Sequence, residues 1–399
     1  MGPLQQFLQQ MLASHPKLMQ AEAESRGSGY RLKESKAALL PRVNILGNLG
    51  YEKQTAESFR RNYNQSLGQA RVVMPLLDVG LLAQINSRQA STVVADWSLT
   101  DVREDLILQG ALAYQELQRH EKLVELARNN LKSHRQYVAQ VKQIALSDIG
   151  RAADLPAAVS RVALAESVLT SRLGRLESAR VHWVQLTGLN APDELVVTPP
   201  PPPTETLEIA ISQALRVSPQ VQQAKAAIDV ARQNVLVTRS LYLPKLNAEF
   251  TRKAGSDWGG VIGSQSSYYA GISLEWSAFS GFSDRYATQA SNEAVLAAQH
   301  AADHLQNELK ARVSQVWYEL VAGEKSLESF LVYESNAKDV VEAYRNQFQI
   351  GRRSLLDVLN AENELFTARS NLVFTTHDNL SAEWRLAALR GELAASLGL

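Results

Sequence analysis

Leu40-Pro41-Arg42-Val43-Asn44 returns as Leu243-Pro244-Lys245-Leu246-Asn247, 203 residues later. Upstream, Ser14-His15-Pro16-Lys17-Leu18 returns as Val217-Ser218-Pro219-Gln220-Val221 at the same spacing. Two anchors at one offset indicate duplication, and the order inside each copy decides the fold. A helical segment leads to a proline, a pair of short alternating strands follows, and a very long helical run closes the copy. No compact soluble enzyme needs that order; it describes half of a tube.

After each proline the hydropathy period changes from helical to two. In 243–254, Leu246, Ala248 and Phe250 alternate with Asn247, Glu249, Thr251 and Lys253. The next strand is cleaner: Tyr268, Ala270, Ile272, Leu274 and Trp276 face one way, and Tyr269, Gly271, Ser273 and Glu275 the other. In the first copy Val43, Ile45, Leu49 and Tyr51 alternate with Arg42, Asn44, Asn48 and Glu52, although Leu46 breaks the pattern. Ala70, Val72, Met74 and Leu76 then alternate with Gln69 and Arg71. Polar stretches, Gln54 to Gln65 and Ala254 to Ser267, read as the hairpin loops. Any one such strand also fits a half-buried sheet on a soluble core. Aromatic residues near the strand ends (Tyr51, Tyr242, Tyr268, Trp276) favour membrane strands, which carry aromatic girdles at both interfaces.

The helical parts are too long for a globule. Gly80 to about Ser147, and Gly281 to about Ile350, keep helical character without proline; at 1.5 Å per residue each would reach roughly 100 Å. Each run ends at a glycine turn, Asp148-Ile149-Gly150-Arg151 or Gln349-Ile350-Gly351-Arg352, and a returning helix follows over 152–187 or 354–397. Small residues on the first returning helix (Ala152, Ala153, Ala157, Ala158, Ala163, Ala165) suit close packing, as an ordinary helical bundle also would. Residues 4–39, with Leu8, Leu12, Ala21, Leu32 and Leu39 on apolar phases, read as one helix ended by Pro41, with 205–241 as its counterpart.

The expected organisation is a first repeat over 1–198, with hairpin 41–79 and long helical hairpin 80–188. A stiff polyproline connector, 199–203, follows. The second repeat covers 204–399, with hairpin 243–279 and helical hairpin 281–397.

Composition removes several function classes. Lys plus Arg equal Asp plus Glu, 41 each, so there is no electrostatic case for nucleic acid. Cysteine is absent, which excludes disulfides, thiolate metal sites and cysteine nucleophiles. No run of 18 apolar residues occurs, so a membrane-spanning helix is not expected; barrel strands escape such a test. The start, Met1-Gly2-Pro3-Leu4-Gln5-Gln6, has no secretory leader pattern, and a mature chain is the expectation. Four strands cannot close a membrane barrel, whose smallest size is about eight, and open edges are not tolerated in lipid. If the strands span a membrane, several copies must contribute, and a homo-oligomer follows.

The stretch from Gln347 through Gly351-Arg352-Arg353-Ser354-Leu355-Leu356-Asp357-Val358-Leu359-Asn360 to Phe366 closely resembles the C-terminal hairpin signature of the TolC family of outer-membrane channel proteins. The duplicated order, covering nearly the whole chain, resembles it too. The resemblance implies a mainly α fold with a membrane β-barrel part: a homotrimer, a twelve-stranded barrel in outer-membrane lipid, and a helical tunnel in the periplasm. It implies a periplasmic adaptor protein and an inner-membrane ABC transporter as partners. The wording from Gly351 to Phe366 is most similar to the type I protein-secretion branch; the alternative is small-molecule efflux with a proton-driven pump. Drug-efflux branches often carry an N-terminal lipidated cysteine; none stands among these 399 residues, as would also hold for a chain from which one had been trimmed.

By residue-to-residue match, the resemblance places Arg353 and Asp357 at polar links and an acidic constriction of the periplasmic end. Phe348 falls where a tyrosine stands in the family, and Asn360 where a second aspartate stands in its best-known member. Asp154 is the expected first-copy counterpart of Asp357. Gly150, Arg151, Gly351, Arg352 and Ser354 are the expected adaptor-contact tips. Leu246, Phe250, Tyr268, Ala270, Ile272, Leu274 and Trp276 are the expected lipid-facing residues. On their own, Arg353 and Asp357, four apart on a helix, read as a surface pair contributing about 0.3–0.5 kcal/mol. Threefold symmetry changes this: three aspartates about 6 Å apart repel by roughly 3 kcal/mol per pair at an effective dielectric near 20.

His300-Ala301-Ala302-Asp303-His304 approaches a zinc-peptidase pattern, but aspartate replaces glutamate and a third ligand is not evident. No phosphate loop or nucleophile elbow occurs. No cofactor is expected, and an enzyme is the remotest reading, behind a non-membrane helical scaffold that binds partners along its coiled hairpins.

Overall fold

The computed structural model describes residues 3–56, 59–147, 154–192, 195–196, 199–201, 206–259, 261–391 and 393–399. It is mainly helical, with a single four-stranded sheet among those residues. The first copy runs α1 (Pro3–Ser14), α2 (Pro16–Ala37), β1 (Arg42–Ala56), β2 (Phe59–Leu77), α3 (Val79–Ser147) and α4 (Asp154–Thr187). The second runs α5 (Leu207–Val217), α6 (Pro219–Arg239), a 3-10 turn at Ser240–Tyr242, β3 (Lys245–Ser256), β4 (Ser264–Glu275), α7 (Ser283–Gln349) and α8 (Leu355–Leu389), then a short α9 (Leu393–Leu397). Pro199 to Pro201 adopt neither helix nor strand; Thr198, Pro202 and Pro203 lie outside the described residues.

The first helix of each copy differs from the sequence expectation. It breaks at His15 and at Ser218, one residue before a proline. Proline lacks the amide that the preceding turn would need, and its ring drives the residue before it out of the helical region; Ser218 has ψ 122°. Proline is well suited to the first position of the helix that follows. The expected 354–397 helix likewise stops early: Gly391 adopts φ +67° against Val217, and α9 starts beyond it.

Chain contacts divide the molecule into two compact units, each containing parts of both copies. One holds Met1–Gln20, Thr100–Pro219 and Gln306–Leu399. Its core forms where the α1 stripe Leu4, Leu8 and Met11 is fully buried and meets α3 at Gly110, a position where a Cβ would collide with Leu8. Phe7 and Tyr114 bracket the buried Trp183 at ring separations of 5.7 and 6.0 Å. The Tyr114 hydroxyl accepts from Val196 N at 2.9 Å and donates to Val196 O at 3.1 Å, fixing the chain that leaves α4.

The other unit holds Ala21–Leu99 and Gln220–Leu305. Its sheet has the order β1-β2-β3-β4, every neighbour antiparallel, which leaves β1 and β4 as edges. The strands are longer than their alternation suggested: β1 and β2 pair through most of the stretch expected to be loop, up to Ala56 and Phe59. Backbone ladders do not depend on side-chain polarity, so pairing continues where the apolar pattern has ended. The β3–β4 connection shrinks to residues 257–263, closed by Asp257, whose Oδ1 accepts from Gly263 N at 2.6 Å.

Candidate functional site

Two regions carry chemistry: the turn between α7 and α8, and the two faces of the sheet. The turn follows from local sequence. Gly351 has φ +73°, a conformation glycine adopts without strain. Its amide donates to Phe348 O at 3.0 Å and that of Arg352 to Gln347 O at 2.9 Å, the double bond pattern that ends helices at a left-handed residue. Ser354 then caps α8: its Oγ accepts from Asp357 N at 3.2 Å and donates to Asp357 Oδ2 at 2.8 Å.

The expected ion pair is therefore subsidiary. Arg353 Nε lies 3.8 Å from Asp357 Oδ2, and its guanidinium lies 3.7 Å from the centroid of the Tyr344 ring. Asp357 serves its own helix first. Phe348 differs from expectation: it is 5% exposed, packed with Tyr137, Val141, Leu355, Val358 and Leu359, so within the protomer it is a core residue, not a lining one. Phenylalanine has no hydroxyl to satisfy, and burial is its stable placement. Asn360 is exposed and accepts from Arg161 of α4 at 2.9 Å. Asp154 opens α4, where a carboxylate favours the positive end of the helix dipole. Gly351, Arg352 and Ser354 are exposed; Gly150 and Arg151 lie outside the described residues.

One group escaped the sequence reading. Glu362, 6% exposed, accepts from the Tyr137 hydroxyl and from Arg345 Nη2, both at 2.7 Å, while Arg345 Nε donates to the Tyr137 oxygen at 3.0 Å. This closed triangle joins α3 to α7 and α8. Burial, and then the hydrogen bond to Glu362, push the Tyr137 phenol up to about 12. The available signal was Glu362 itself, a charge on the buried helical phase of Val358, Leu359 and Leu365. His300 and His304 are both exposed, and among the described residues no group of three potential metal ligands forms.

The register assigns every strand residue to a face. One face carries Val43, Ile45, Val72, Met74, Leu246, Phe250, Tyr268, Ala270, Ile272 and Leu274. Ile45 is 84% exposed, Tyr268 81% and Ile272 67%, so the face is apolar and uncovered in the protomer. Trp276 lies just past β4, 59% exposed, its indole N–H donating to Tyr242 O at 3.2 Å. The opposite face is polar: Arg71 Nε meets Glu249 Oε1 at 2.7 Å, and Gln69, Thr251, Lys253, Ser267 and Tyr269 line the same hollow. Leu46, the exception to the alternation, stands on this polar face opposite Gln69.

The sequence model of the family described as "Outer membrane efflux protein" matches residues 7–189 and 210–392. The chain belongs to that family, whose members are outer-membrane channels with a helical periplasmic part. The two matched segments are separated by the same interval as the two Leu-Pro anchors. The chain is 23% identical over 399 residues to the outer membrane efflux protein BepC of Brucella suis biovar 1 (strain 1330), covering 95% of this chain and 84% of that protein. It is also 23% identical to the alkaline protease secretion protein AprF of Pseudomonas aeruginosa (96% and 83% covered). Its fold is similar to solved CusC, with TM-score 0.86 at 16% identity (97% and 91% covered). It is likewise similar to the outer membrane protein VceC of Vibrio cholerae, with TM-score 0.84 at 15% identity (97% and 96% covered). At these identities the structural likeness concerns the fold.

Proposed function

We propose that three copies of this chain form the outer-membrane exit duct of a tripartite export system, receiving cargo from a periplasmic adaptor and an inner-membrane ABC transporter in type I protein secretion. The observation that carries the duct is the sheet: four strands, two open edges, one face predominantly apolar toward the helices and one polar. An uncovered apolar face of this extent calls for a nonpolar surrounding. Edges β1 and β4 are satisfied when each pairs with a neighbouring copy, as a spanning sheet must close. A non-membrane scaffold would gain nothing from exposing Ile272 and Tyr268.

For the cargo, the Gly351–Phe366 wording and the likeness to AprF support secretion of unfolded protein. Small-molecule efflux with a proton-driven pump is the second reading, supported by the equal likeness to BepC. On the same reading 1–198 and 204–399 are two structural repeats, and Arg353, Asp357, Asn360 and Asp154 stand at the periplasmic constriction, with Phe348 packed behind them. Gly150, Arg151, Gly351, Arg352 and Ser354 form the adaptor-contact tips, and the apolar sheet face meets lipid. The test is mass measurement of the purified protein with and without detergent. A detergent-dependent trimer is expected; a monodisperse monomer in plain buffer would remove the duct.

A further inference from the structure

The apolar face of the sheet is interrupted on β3 by a charge. Arg252 pairs with Ala70 on β2 and Tyr268 on β4, and Ala70 pairs with Ile45 on β1, so these four share one row of that face. Toward the helices the next rows are Val43, Val72, Phe250 and Ala270, then Met74, Ala248 and Ile272. Toward the hairpin loops, β2 to β4 present Gly68, Ala254 and Ser266, then Ser66, Ser256 and Ser264. On β2 to β4, Arg252 thus stands where bulky apolar side chains give way to small and hydroxyl ones, while β1 carries Leu49 and Tyr51 further out on the same face.

Spacing puts this row at a boundary. Trp276 and Tyr268 are eight residues apart, about 27 Å along a strand; at a tilt near 40° that is roughly 21 Å of height, close to the apolar band of a membrane barrel, about 25 Å. The helices connect at the Trp276 end and lie on the periplasmic side, so Arg252 is at the outward edge. Arg252 is exposed, and among the described residues it has no hydrogen-bond or ion-pair partner. Being on an inner strand, it is not covered when copies pair through β1 and β4. A guanidinium is costly inside hydrocarbon, and its planar fork matches a phosphate with two parallel hydrogen bonds. Tyr268 beside it offers the amphipathic ring found at membrane interfaces.

We propose that Arg252, flanked by Tyr268, docks a phosphate-bearing lipid headgroup of the outer leaflet. The proposal rests on the reading that the apolar face meets lipid, and its test separates the two. The full chain in a phosphate-free detergent is titrated with diphosphoryl lipid A and with the same lipid stripped of phosphate, and bound lipid is counted by native mass spectrometry. Arg252→Gln should weaken binding of the phosphorylated lipid about fivefold and leave the stripped lipid unchanged. Arg252→Leu, which an apolar face accepts, replaces it if the glutamine variant assembles poorly. Wild-type binding by both variants, or equal loss with both lipids, overturns the headgroup site and leaves the face assignment standing. Displacement of the lipid by inorganic phosphate at equal concentration would reveal a plain anion site and overturn it as well. Lys253→Gln, on the polar face, should bind as wild type does; if it is the variant that loses lipid, the faces are reversed and the underlying reading fails too.

Discussion

Tyr137 and Glu362, 225 residues apart in the chain, meet at 2.7 Å in a buried pocket, the phenol donating and the carboxylate accepting. The contact fastens the first-copy helix α3 to the second-copy helix α8, and Arg345 closes it from α7. Tyr137→Phe leaves Glu362 with one of its two donors and should cost about 1–3 kcal/mol, read as a lower melting temperature. In Glu362→Gln the phenol loses its anionic partner. Its titration, followed by phenolate absorbance, should then move down from about 12 toward the ordinary tyrosine range.

The α7–α8 turn gives a second prediction, resting on the proposed constriction. Arg353 is held from one side by the Tyr344 ring and from the other by Asp357. Loss of either charge near a threefold axis should weaken the closed state more than the open one. Arg353→Ser is expected to raise single-channel conductance in planar bilayers, and Asp357→Ala to weaken block by divalent cations from the periplasmic side. Unchanged conductance and block in folded protein would assign both residues to helix capping and adaptor contact.

The sheet register makes a third. Ile272 is on the apolar face and its neighbour Ser273 on the polar one. Ile272→Arg should impair membrane insertion by about 2–4 kcal/mol if it lies near the midplane, with Ser273→Arg milder. Equal yields of heat-resistant oligomer from the two variants would contradict the face assignment.

A fourth concerns acid. Burial, with help from the nearby Arg119, lowers His377 to about 4 from an ordinary value of 6.5. His120 and Arg119 on α3 face it, Asp378 opposes them, and Gln115 Oε1 lies 3.2 Å from Nδ1. A histidine depressed in the folded state takes up its proton more readily when unfolded, so stability is full above about pH 6.5 and falls as pH drops toward 4. His377→Gln should flatten that part of the melting-temperature profile. A profile as steep as wild type would place the acid sensitivity elsewhere, for instance at His120 or His134, which burial also lowers.

The architecture was legible because its determinants are local and repeated: alternation around Ile272, uninterrupted helical phase through α3 and α7, and Gly351 at a turn. Breaks at Pro16 and Pro219 were also written in the sequence, and the apolar periodicity running past them hid them. The site was less legible. Matching Phe348 to a family tyrosine gave a position without an environment, and the environment is an apolar core. The Tyr137–Glu362 contact joins residues whose proximity no local pattern encodes, although a carboxylate on the phase of Leu359 and Leu365 indicated that some partner was needed.

Beyond the row of Ser66 and Ser256, β1 and β2 continue without β3 for seven more residue pairs, ending at Ala56 and Phe59. In the proposed trimer this would surround the outer mouth with three twisted two-stranded posts separated by notches, a crown and not a smooth rim. A macromolecule approaching from outside would meet those posts, with Lys53 and Asn62 among their flanks, before reaching the wall of the pore.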